Sequence, residues 1–268
     1  MRKEIILLLL GFVFIFQACE EVVDVDLEES EPRLVVAASI LVPKENREAS
    51  QFIRLTTTAP YFSEDVPPAT GAEVTVMDEN GIEYSFEEFE PGYYQNDEFT
   101  PDFNINYELE INYNGEKYTA TESLIPTPDI EYVEQKDGAG FGGENIELRA
   151  FYTDPEGIEN NYLFRFLHES LAIQIYDDEF TDGNTTFAYF SDEDLKAGDI
   201  VRFEIQGISR RFYEYMFILR SQAGTGGGPF QTQPTIVRGN VINVTNPDNF
   251  AFGYFRLSET NTFNYTIE

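Results

Sequence analysis

Tyr107-Glu108-Leu109-Glu110-Ile111-Asn112-Tyr113 alternates apolar and polar side chains without a break. Side chains of a strand point to opposite faces in turn, so this period of two marks a β-strand with one buried face. Asn114-Gly115 follows, a pair that tolerates the positive φ of a tight hairpin, and Lys117–Glu122 then reads as the returning strand. The same grammar recurs on both sides. Towards the N-terminus lie Arg33–Ile40, Gln51–Thr58, Ala72–Met77, Ile82–Phe86 behind an Asn80-Gly81 turn, and a short strand starting at Gly92-Tyr93-Tyr94. Roughly seven short strands separated by turn signals predict an immunoglobulin-like or transthyretin-like sandwich over residues 32–125.

Ile125-Pro126-Thr127-Pro128 is the expected boundary, because two prolines in three residues stiffen the chain and prevent a central strand. Residues 129–268 then read as a second β-rich domain. Its expected strands are Ile130–Gln135, Asn145–Tyr152, Tyr162–Leu167, Leu171–Tyr176, Thr186–Phe190, Ile200–Gln206, Val241–Val244, Ala251–Leu257 and Thr262–Ile267. Within it the period changes once. Phe212, Tyr215, Met216 and Leu219 recur at helical spacing behind Ser209, a good N-cap, which predicts a helix near 209–222 that covers an open face or edge of the second sheet.

The N-terminus carries a different signal. Arg2 and Lys3 precede an apolar run, Ile5–Phe16, and then Gln17-Ala18-Cys19, where Cys19 is the single cysteine. This is the layout of a secretory signal peptide over residues 1–18, cut before a cysteine that takes a lipid. A transmembrane helix needs roughly 20 apolar residues, more than this run supplies. Plain secretion would leave a lone thiol in an oxidising compartment without a purpose. Residues 19–31 form an acidic linker, with Glu20, Glu21, Asp24, Asp26, Glu28 and Glu29 among valines and a leucine.

Composition narrows the function further. The chain holds 17 basic and 49 acidic residues, a net charge of −32, and losing residues 1–18 removes Arg2, Lys3 and Glu4. Such acidity excludes phosphate neutralisation and hence a nucleic-acid partner. It also argues against adsorption to anionic lipid, so the lipid on Cys19 would do the holding. Phe and Tyr number 24 and 16, and Trp is absent. The single histidine, His168, has no second histidine or further cysteine with which to build a zinc site or a nucleophilic triad. Gly224 and Gly226–Gly228 lead into Pro229 rather than a lysine pair, so a phosphate loop is unsupported. Asp177, Asp178, Glu179 and Asp182, with Asp192, Glu193 and Asp194 near in sequence, offer oxygen ligands, and Asp177, Asp178 and Asp182 are the residues calcium would use if two loops met. Their spacing matches no EF-hand, and solvated charge is the default. No other cofactor is expected.

Several patterns in order resemble a family of Bacteroidota outer-membrane lipoproteins of unknown function. They are Cys19 with its acidic stretch and Arg33-Leu34-Val35-Val36; Gly71–Val76 with Asn80-Gly81 and Gly92-Tyr93-Tyr94; Tyr107-Glu108-Leu109 and Tyr118-Thr119-Ala120 ahead of Ile125-Pro126; and Tyr213–Leu219, Gly228-Pro229-Phe230, Gly239-Asn240-Val241 and Gly253-Tyr254-Phe255. Members are commonly encoded beside TonB-dependent receptors, so the resemblance implies an outer-membrane β-barrel as partner and no catalytic residues. Phe230, Tyr254 and Phe255 then have two readings: aromatics packed on the helix beside turn glycines, or an exposed loop that docks on a partner. The expected function is a non-enzymatic accessory subunit of such a receptor, lipid-anchored and facing the cell surface. The rivals are a stand-alone module capturing glycan or peptide and, behind it, a carboxylate-based hydrolase.

Overall fold

The computed structural model describes residues 31–60, 63, 65–139, 145–223 and 236–268. Seven strands occupy the N-terminal half: β1 (Leu34–Pro43), β2 (Gln51–Thr57), β3 (Glu73–Asp78), β4 (Glu83–Glu90), β5 (Tyr93–Asn96), β6 (Asn106–Tyr113) and β7 (Glu116–Ile125). Each sits where its alternation places it. Between β6 and β7, Asn114 and Gly115 both adopt positive φ, 52° and 78°, as a two-residue hairpin of this twist requires. The β3–β4 turn works differently. Only Gly81 of that pair has positive φ, because the Asp78 carboxylate accepts the main-chain N–H of Asn80 at 2.9 Å and of Ile82 at 2.8 Å and shapes the turn itself.

The second half contributes β8 (Tyr132–Ala139), β9 (Asn145–Thr153), β10 (Asn161–Leu167), β11 (Leu171–Asp177), β12 (Thr185–Asp192), β13 (Ile200–Gly207), the helix α1 (Arg210–Ala223), β14 (Ile242–Asn243) and β15 (Phe252–Thr266). The two strands expected over 251–257 and 262–267 are therefore one. β15 runs parallel to β1 from Phe252 opposite Val35 to Thr260 opposite Pro43, and antiparallel to β13 from Thr260 to Thr266.

This strand decides the architecture. The order β15-β1-β2-β5-β4-β3-β6-β7 returns on itself, since β7 pairs again with β15 through Leu124–Leu257 and Ile125–Ser258. The N-terminal strands therefore close into an eight-stranded, barrel-like ring, which removes the open edges that a two-sheet sandwich would keep. Its interior holds Val36, Ala38, Ile40, Ile53, Leu55, Val76, Tyr94, Leu109 and Ile111, all fully buried, together with Val241, Ala251, Phe255 and Leu257 from the far end of the chain. The division expected between 125 and 129 is thus corrected. Val241, Ala251, Phe255 and Leu257 belong to the first core, and Pro32–Glu268 is one compact unit.

Beyond the ring, β11-β10-β13 and the C-terminal part of β15 form a flank that faces the three-stranded sheet β12-β9-β8. Tyr162, Phe164, Phe166, Phe203 and Ile205 from one layer meet Leu148, Ala150, Tyr152, Ala188 and Phe190 from the other. The opposite side of the flank is covered by α1. The Ser209 hydroxyl accepts the Phe212 N–H at 3.3 Å and caps the helix, and Phe212, Tyr215 and Met216 lie on Leu163, Ile173, Ile175 and Tyr254. The helix covers a sheet face, as its spacing predicts.

Where β15 passes from ring to flank, its polar residues are buried rather than looped out. The Arg256 guanidinium donates to Ser39 Oγ at 3.1 Å, Ser258 Oγ at 2.7 Å and Gln206 Oε1 at 2.8 Å, and sits over the Phe212 ring. Burial pulls its pKa down to about 10, which the Glu204 charge opposes. Glu259 similarly accepts the Thr127 N–H at 3.1 Å, fixing the proline segment against the strand.

Candidate functional site

Of the residues the sequence singles out, Cys19 and Phe230 lie outside the described residues. Tyr254 and Phe255 are buried, at 6% and 0% exposure. Tyr254 packs on Phe212 and Tyr215 of α1 at ring separations of 4.9 and 5.1 Å, while Phe255 fills the ring core. Neither forms an exposed docking loop, because Gly253 (φ +89°) lets β15 begin directly against β1 and draws both aromatics inward. His168 places Nε2 3.2 Å from Asp199 Oδ2 at the end of β10, a structural contact.

The acidic candidates separate. Asp177 pairs with Asn161 across β11 and β10, and its carboxylate accepts the Tyr213 hydroxyl of α1 at 3.1 Å. Asp178, one residue on, points to the other face, where it accepts the Asn160 N–H at 2.6 Å. Asp182 accepts the Gly157 N–H at 2.7 Å. The loop these two meet is 154–160. Asp192–Asp194 stand at the opposite end of β12, an eight-residue strand, roughly 25 Å away at strand rise.

Two further features carried no signal in the one-dimensional pattern. The first is a cleft of about 290 Å³ between α1 and residues 236–240, lined by Arg211, Glu214, Tyr215, Ile218, Asn240 and Tyr254. Behind it Glu122 accepts the Tyr254 hydroxyl at 3.0 Å and the Asn240 amide at 3.2 Å. Burial raises the Glu122 pKa, opposed by Tyr254, by the Arg211 charge, by Asn240 and by Ser209. Its carboxylate is engaged in holding β15 and the 236–240 segment together.

The second feature is an aromatic row on the outer face of the β8-β9-β12 sheet. Register places Tyr132 opposite Phe151 and Phe151 opposite Phe187, so three rings cross the sheet side by side. Their centroids are 4.6 and 5.3 Å apart, the first pair within 12° of parallel. Arg149 stacks over Phe187 at 4.7 Å and joins Glu147 at 2.5 Å, and Tyr189 stands in the next row, 51% exposed. Tyr132 and Phe187 are exposed as well. Rings only 4.6 Å apart and nearly parallel must be face to face. A smaller group, Phe52, Phe89 and Tyr93, lies on the ring wall, and Phe217, Ile218 and Leu219 are exposed on α1. Among the described residues no helix is long and apolar enough to cross a membrane.

The fold and these surfaces define a mainly β protein with a closed ring, a β flank and one covering helix. The chain belongs to the DUF4249 family, a domain of unknown function whose model matches residues 20–263. None of the curated proteins compared matches it. Among solved structures it is similar to a two fibronectin type-III domain segment from chicken tenascin, at 12% identity over 66% of this chain and 91% of that one, with a TM-score of 0.21. It is similar also to the chicken interferon gamma receptor alpha chain, at 11% identity over 66% and 88%, with a TM-score of 0.19. Likenesses of that size carry no argument, and the fold rests on the strand pairing above.

Proposed function

We propose that this chain is a non-enzymatic outer-membrane lipoprotein, tethered through Cys19, that serves as accessory subunit of a TonB-dependent receptor or related β-barrel in nutrient uptake or envelope assembly. The observation that supports this is the exposed aromatic row Tyr132–Phe151–Phe187 on the outer sheet. In a chain of net charge −32, an uncovered run of large rings beside an arginine has the composition of an interface core. The family resemblance and the acidic segment after Cys19 point to the same location.

The test is a mild-detergent pull-down from native membranes with a tag after Glu268, read by mass spectrometry. A barrel that co-purifies in stoichiometric amount with the wild type, and is lost from a Tyr132→Ser, Phe187→Ser double variant, supports the accessory role. A chain that comes out alone favours the second reading, capture of glycan or peptide, and calorimetry against a panel of both would follow. A carboxylate hydrolase has the least support, because Glu122, the half-buried carboxylate at the cleft, is already occupied by Tyr254 and Asn240.

A further inference from the structure

The cleft between α1 and residues 236–240 carries a charge opposite to that of the chain. Arg211 and Arg238 both line it, the first from the helix and the second from the facing segment. Its one acidic lining residue, Glu214, is taken by Arg210, whose Nε donates to Glu214 Oε1 at 3.2 Å. Behind the lining, Glu122 is occupied by Tyr254 and Asn240. Among the described residues neither Arg211 nor Arg238 belongs to an ion pair. The chain has 49 acidic and 17 basic residues. Two arginines on one concave surface, with no carboxylate of their own, therefore concentrate positive potential where the walls focus it.

Both guanidinium groups are positioned by their surroundings. Arg238 lies 3.7 Å from the centre of the Phe250 ring, and Arg33 lies 3.9 Å from the same centre while donating Nη1 to the Asp248 carbonyl at 2.9 Å. Two cations thus share an aromatic ring rather than a carboxylate. Stacking of this kind orients a guanidinium without using its N–H donors, which remain in a plane that matches the oxygens of a carboxylate or phosphate. Arg211 is near enough to Tyr254 and Glu122 for its charge to act on both. The remaining lining is largely apolar. The Tyr215 and Tyr254 rings are 5.1 Å apart, and Ile218 and Ile236 are 45% and 60% exposed.

We propose that this cleft binds a small organic anion, a carboxylate or phosphate ester joined to an apolar or aromatic body. Arg211 and Arg238 take the anionic group, and Tyr215, Ile218 and Ile236 lie against the body. A volume of about 290 Å³ is at the lower end for small-molecule sites, and an apolar lining with a few fixed polar groups is their usual composition. The site is separate from the aromatic row, which stands on the β8-β9-β12 sheet, so either can fail without the other.

Titration calorimetry on the full chain tests this, with 4-phenylbutyrate and phenyl phosphate as anionic probes and phenethylamine and benzyl alcohol as cationic and neutral controls. Expected is saturable binding of at least one anion, one per chain, with the amine and the alcohol weaker by about tenfold or more. Binding of 4-phenylbutyrate assigns a carboxylate ligand, and binding of phenyl phosphate a phosphate ester. Arg211→Gln and Arg238→Gln, both at exposed positions, should each weaken the anion by about fivefold or more. The Tyr132→Ser, Phe187→Ser double variant should bind it as the wild type does. No saturable binding, equal binding of the amine, or anion binding that both arginine variants leave intact overturns the proposal.

Discussion

The side-chain amide of Asn240 bonds both main-chain groups of Phe255: Nδ2 donates to the carbonyl at 2.8 Å and Oδ1 accepts the N–H at 2.9 Å. A side chain thus does the work of a neighbouring strand, completing β15 where no strand lies beside it. Gln51 does the same for Leu41, at 3.1 Å in both directions, where β1 and β2 diverge. Asn240→Ala leaves two buried main-chain groups without partners. A loss of about 2–3 kcal/mol is expected in urea unfolding. Asn240→Asp should be at least as severe, since it removes the donor and adds a charge beside Glu122.

Gly253 and Gly115 both have positive φ, +89° and +78°, yet they should differ sharply on substitution. A Cβ at Gly253 would stand 1.9 Å from the Val36 carbonyl oxygen, and one at the neighbouring Gly239 would stand 1.6 Å from the Gly253 oxygen. Around Gly115 nothing lies within 4 Å. Gly253→Ala must push β15 off β1, and Gly239→Ala must push the 236–240 segment off β15; both are expected to lose more than about 3 kcal/mol or not to accumulate folded. Gly115→Ala should cost about 1 kcal/mol, read in the same denaturation series.

Glu122 carries a pH signature. Its folded pKa is raised above the ordinary 4.5 by burial, against the pull of Tyr254, Arg211, Asn240 and Ser209. The folded state therefore holds the proton more tightly than the unfolded one. The stability this lends is complete below the ordinary value and is lost as pH rises through the raised one. Glu122→Gln keeps the acceptor oxygen and removes the charge. Its thermal midpoint should exceed that of the wild type at pH 8, with the gap narrowing steadily towards pH 5. A gap independent of pH would contradict this account.

Arg256 binds three acceptors with a rigid fork, Ser39, Ser258 and Gln206. Lysine keeps the charge but is a single point donor and cannot lie flat over Phe212. Arg256→Lys is expected to cost about 2–4 kcal/mol, because the buried acceptors lose partners and the ammonium stays desolvated. Guanidine unfolding of the variant and the wild type, compared at equal slope, measures it.

Much of the local structure was legible. Alternation places the strands to within a few residues, Asn114-Gly115 marks its hairpin, and Ser209 starts the helix. Two elements misled. Ser258-Glu259-Thr260-Asn261 looks like a break between strands, yet it is the polar middle of β15, with Ser258, Glu259 and Thr260 buried. Tyr254 and Phe255 allow a surface reading because the glycine before them serves turns as well as close backbone approach. The aromatic row was hidden for another reason. Tyr132, Phe151 and Phe187 are scattered in sequence and become neighbours only through register.

By itself, the sequence determined the period of each element, the places where the chain turns and the excess of acid over base. Those properties are local, arising from side-chain alternation, φ preferences and composition. Only the tertiary structure decided that β1 pairs in parallel with β15, more than two hundred residues away, closing the ring and binding both halves to one strand. Parallel pairing across such a distance leaves no local trace, because either strand keeps the same alternation whichever partner it meets.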